Sequence, residues 1–82
     1  MTKYFKAESF NDLREILTAV EKPRISAAIY RTIVENNEDS IRFFERMFRQ
    51  HGKVFINATH GIVSSYIHPE HDEILSLERY KL

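Results

Sequence analysis

Apolar positions in this 82-residue chain recur at strand spacing near the start, at helical spacing through the middle, and at strand spacing again after Lys53. A short strand is expected at Lys3 to Ala7. Ser9 and Asp12 then stand at capping-box spacing just before Phe10, Leu13, Ile16, Leu17 and Val20, which fall at helical intervals until Glu21, Lys22 and Pro23 end the run. Proline cannot donate into a continuing helix, but it is well suited to open the next one. A second helix therefore follows Pro23, with Ile25, Ala28, Ile29, Ile33 and Val34 on its apolar side and Asn36 and Asn37 at its end. Asn37 serves as N-cap of a third helix, Glu38 and Asp39 suit its first turn, and Gly52 supplies a left-handed C-cap.

The third helix is the most distinctive segment. Ile41, Phe43, Phe44, Met47 and Phe48 cover one broad side, and Arg42, Arg46 and Arg49 recur at i, i+4 and i+7 on the other. Beyond it, Val54 to Ile56 and Ile62 to Ile67 predict a hairpin turning at Asn57 to Gly61. A second break at His68 to Asp72 precedes a last strand carrying Ile74, Leu75, Leu77 and Tyr80. The expected fold is a single α+β domain over residues 1–82: a short strand, three helices, then a three-stranded antiparallel meander whose one face the helices cover.

Composition narrows the function classes. Lys plus Arg number 12 and Asp plus Glu 12, so the formal charge is zero and no long-range field gathers nucleic acid or acidic lipid. There is no cysteine, which removes disulfides, thiolate ligands and a Cys nucleophile, and fits a reducing compartment. No apolar run is long enough for export or for spanning a bilayer, so the expectation is a cytoplasmic protein without membrane insertion. Neither Ser64 nor Ser65 has a sequence-level base, so no catalytic residue and no cofactor is assigned.

The aromatic inventory points to protein contacts. Six Phe and four Tyr exceed the obvious needs of one small core, and the hairpin is apolar on both faces. Val54, Ile56, Val63 and Ile67 form one face; Phe55, Ile62 and Tyr66 form the other, open to a partner or a second copy unless the terminal segments cap it. The expected partner-binding residues are Phe55, Ile62 and Tyr66 for the sheet surface and Arg42, Arg46 and Arg49 for a charged contact. This reading makes the chain a small regulatory or inhibitory module that self-associates as a homodimer. By analogy of size, it would sit among the accessory and inhibitor proteins of bacteriophages and mobile elements.

Three other readings use the same residues. Three helices followed by a hairpin is an order that resembles a winged helix-turn-helix, which implies a nucleic-acid-binding regulator. Arg42, Arg46, Arg49 and Lys53 would face the groove, with Thr59 and His60 at the wing tip. Glu38 and Glu45 flank that stripe, and the plainer reading pairs its arginines with them on a solvated face. All four histidines lie between positions 51 and 71, and hairpin register places His51 near His68, with His60 about 20 Å away. His51, His68 and His71 are thus the candidate metal ligands, although the H-x-x-H turn lacks the rigid element of a helical pair and His51 is expected to be partly buried. Last, the pairing of helices with an antiparallel sheet is similar to small ribonuclease toxins, which would cast His68, His71, Arg79 and Tyr80 as acid-base and phosphate-binding groups.

Overall fold

The computed structural model describes residues 2–20 and 27–78. It is α+β: β1 (Thr2–Ala7), α1 (Phe10–Ala19), α2 (Ala27–Ile33), α3 (Glu38–His51), β2 (Val54–Asn57), β3 (Val63–Ser64) and β4 (Asp72–Ile74). Local chemistry sets the helix ends. The Ser9 side chain accepts from the Asp12 N–H at 3.3 Å while the Asp12 carboxylate accepts from the Glu8 N–H at 2.8 Å, a reciprocal cap at the start of α1. Asn37 caps α3 by accepting from the Ser40 N–H at 3.2 Å. Gly52 ends α3 at φ 73°, donating its N–H to the Phe48 carbonyl at 2.8 Å. Pro23 and the start expected for the second helix lie outside the described residues.

The four strands form one mixed sheet in the order β3-β2-β1-β4. β1 lies inside it, antiparallel to β2 with Phe5 opposite Ile56, and parallel to β4 with Lys3 opposite Glu73. The expected meander is therefore corrected: the last strand does not return along β3 but crosses to the free side of β1. Opposite charges at Lys3 and Glu73 suit that pairing. Nor is the β2–β3 hairpin a free-standing wing, because β2 is bonded to β1 along its whole length.

Strand alternation fixes what each sheet face carries. Phe5 and Ala7 of β1 and Val54 and Ile56 of β2 point to the helices, where they meet Leu13, Ile16, Val20, Ile29 and Phe44 in one buried cluster. Phe10 of α1 meets Phe48 of α3 edge-on, with ring centroids 5.4 Å apart. Phe55 points the other way and is nevertheless only 5% exposed.

The path from β3 to β4 lies on the same side of the sheet. Ser64 is level with Phe55 and Lys6, whereas Asp72 is level with Thr2. The connection must travel four residues back along the sheet and three strand spacings across, about 20 Å in all. Eight extended steps reach about 26 Å, too short a tether to go around the helical layer. A connection this short passes on the side of the sheet opposite the helices, the side to which Phe55 points.

Candidate protein-interaction surface

Of the residues expected on the open sheet face, two are exposed and one is not. Ile62 and Tyr66, on either side of β3, are 61% and 70% exposed. Phe55 is removed from the contact surface, because a ring already covered by its own chain has no area left for a partner. Among the described residues β3 is the outermost strand on its side; it is two residues long, and its outward N–H and C=O groups have no strand partner there. Two large apolar side chains thus flank an open sheet edge. Ile74 of β4, 47% exposed, lies at the opposite edge.

The arginine stripe of α3 is in place. Arg42, Arg46 and Arg49 are all exposed, opposite the side on which Phe44 is fully buried. Arg42 lies 3.8 Å from Glu38, and both side chains are too exposed for that pair to be worth more than about 0.5 kcal/mol. Arg46 and Arg49 form no ion pair among the described residues, so the expected pairing of the whole stripe with acidic neighbours is realised only at Arg42. Phe43, on the border of the aromatic side, is 39% exposed beside Phe44, with ring centroids 5.2 Å apart.

The histidines fall differently from expectation. His51 is exposed at the end of α3 and joins no ligand cluster among the described residues, which corrects both its burial and its place near His68. The diagonal connection is the cause: it carries His68 and His71 back to the Thr2 end of the sheet, the end at which His60 sits, and away from His51. His60, Thr59, Asn57, Lys3 and Thr2 line an open cavity of about 350 Å³ there. The Asn57 side chain accepts from the Thr59 and His60 N–H groups, each at 2.8 Å, which shapes the turn between β2 and β3. His68 and His71 stack with centroids 4.6 Å apart, and Glu70, a potential ligand of the same His68 to Glu73 run, stands beside them in place of His51. Arg79 and Tyr80, required by the ribonuclease-like reading, lie outside the described residues.

Comparison of the chain with known protein families, with characterised proteins and with solved structures finds no match. No helix among the described residues is long and apolar enough to cross a membrane. The physical character of its surface is what bears on function.

Proposed function

We propose that this protein is a small, non-enzymatic interaction module of the cytoplasm that self-associates through the β3 edge and regulates or inhibits a protein partner. The observation that carries the reading is the exposure of Tyr66 and Ile62 beside an unpaired edge strand, since aromatic and aliphatic groups placed at a sheet edge supply both apolar contact and backbone pairing to an added strand. Arg46 and Arg49 add a charged contact for an acidic partner surface on α3. The solution mass of the wild-type protein and of Tyr66→Asp tests this. A dimer that the substitution converts to a folded monomer supports the reading, and a monomeric wild-type protein opposes it.

The unpaired state of Arg46 and Arg49 favours one second reading, contact with nucleic acid. On that reading Arg46→Glu removes binding to a generic DNA duplex, and wild-type affinity falls steeply as salt rises. Absence of binding at low salt rejects it.

A further inference from the structure

The turn ahead of β4 has what its sequence alone lacked, a defined frame for its ligand groups. Its backbone is closed twice onto the His68 carbonyl, which accepts from the His71 N–H at 3.1 Å and the Asp72 N–H at 2.8 Å. The Asp72 carboxylate in turn accepts from the His68 N–H at 2.7 Å, so that carboxylate is occupied in holding the turn. The following residues are anchored as well: Asp72–Ile74 pair with β1, and the Leu75 N–H donates to the Tyr4 carbonyl at 2.7 Å. Within this frame one ligand atom each from His68, Glu70 and His71 lies within 4.8 Å of the others.

We infer that His68, Glu70 and His71 form a binding site for a divalent late transition-metal ion of the Zn²⁺ class. Two imidazoles and one carboxylate are a borderline donor set that favours zinc, nickel or copper over magnesium or calcium, which prefer all-oxygen coordination. Bonds of about 2.0–2.1 Å to a tetrahedral ion place ligand atoms about 3.4 Å apart. All three side chains are exposed, so rotation about their own bonds closes the remaining distance without moving the backbone. Three protein ligands leave the fourth position to water. His51 and His60 take no part, since neither belongs to the group. The ion fastens the turn that leads into β4, and so raises the stability of the β1–β4 pairing along with that of the whole chain.

Titration of the metal-free protein with Zn²⁺, followed by calorimetry and by the imidazole proton signals, tests the site. The expected result is saturable micromolar binding of one ion per chain, reversed by chelator, that perturbs the His68 and His71 rings and leaves His51 unmoved. His68→Ala and His71→Ala each weaken it at least about tenfold, His51→Ala leaves it unchanged, and Mg²⁺ does not compete. Zinc also raises the melting temperature of the wild-type protein but not of His71→Ala. Failure to saturate below millimolar Zn²⁺, or perturbation of His51 equal to that of His68 and His71, overturns the site. So does a zinc-dependent doubling of mass, which would place ligands on a second chain.

Discussion

Phe55 and Tyr66 are both aromatic residues of the C-terminal hairpin region, yet one is 5% exposed and the other 70%. Removing the ring of Phe55 empties a covered site, so Phe55→Ala is expected to cost about 3–5 kcal/mol. Tyr66→Ala stays within about 0.5 kcal/mol of the parent when the two are compared as single chains, at concentrations below self-association. Urea unfolding of the two variants in that dilute range checks the contrast; similar losses at both positions would mean that Tyr66 is part of the packed interior. Alternation along a strand tells which residues share a face, and that much was legible for Phe55, which does point away from Val54 and Ile56. Whether a face is covered depends on where a distant segment passes, and no local pattern carries that information.

Helix boundaries were the most legible elements because their determinants are local. Ser9, Asn37 and Gly52 cap where their side chains or backbone preferences place them, and the aromatic and arginine sides of α3 separate as the 3.6-residue period requires. Gly52 permits a clean test. A Cβ built there meets nothing within 4 Å, so Gly52→Ala carries only the cost of φ 73° in a residue with a side chain, about 1–2 kcal/mol. Thermal unfolding of that variant should show the loss; an unchanged midpoint would mean that the last turn of α3 frays at no cost. Strand extents were less legible. The run Ile62 to Ile67 yields a strand only at Val63–Ser64, and β4 begins at Asp72, inside what reads as a turn. Both differences follow from partner choice: the chain leaves β2 early to reach the free side of β1.

That crossing organises the whole molecule. With β1 inside the sheet and residues 65–71 passing on the side opposite the helices, the open surface contracts from a broad sheet face to the β3 edge with Ile62 and Tyr66, and the histidine turn moves to the Thr2 end. What was legible is exposure: Ile62, Tyr66 and the arginine stripe stand exposed as their spacing suggests, while the burial of Phe55 and the position of His51 were set by long-range topology. A neutral chain has little net charge to hold two copies apart, so the proposed edge-to-edge association meets little long-range repulsion. Light scattering across a wide concentration range, on the wild-type protein and on Tyr66→Asp with its circular dichroism recorded alongside, tests this most directly. The expected result is a wild-type mass twice the 9.8 kDa of the chain and a Tyr66→Asp protein of unchanged helical content at the single-chain mass. A wild-type protein that remains at the single-chain mass throughout, or a Tyr66→Asp dimer as stable as the parent, would contradict it.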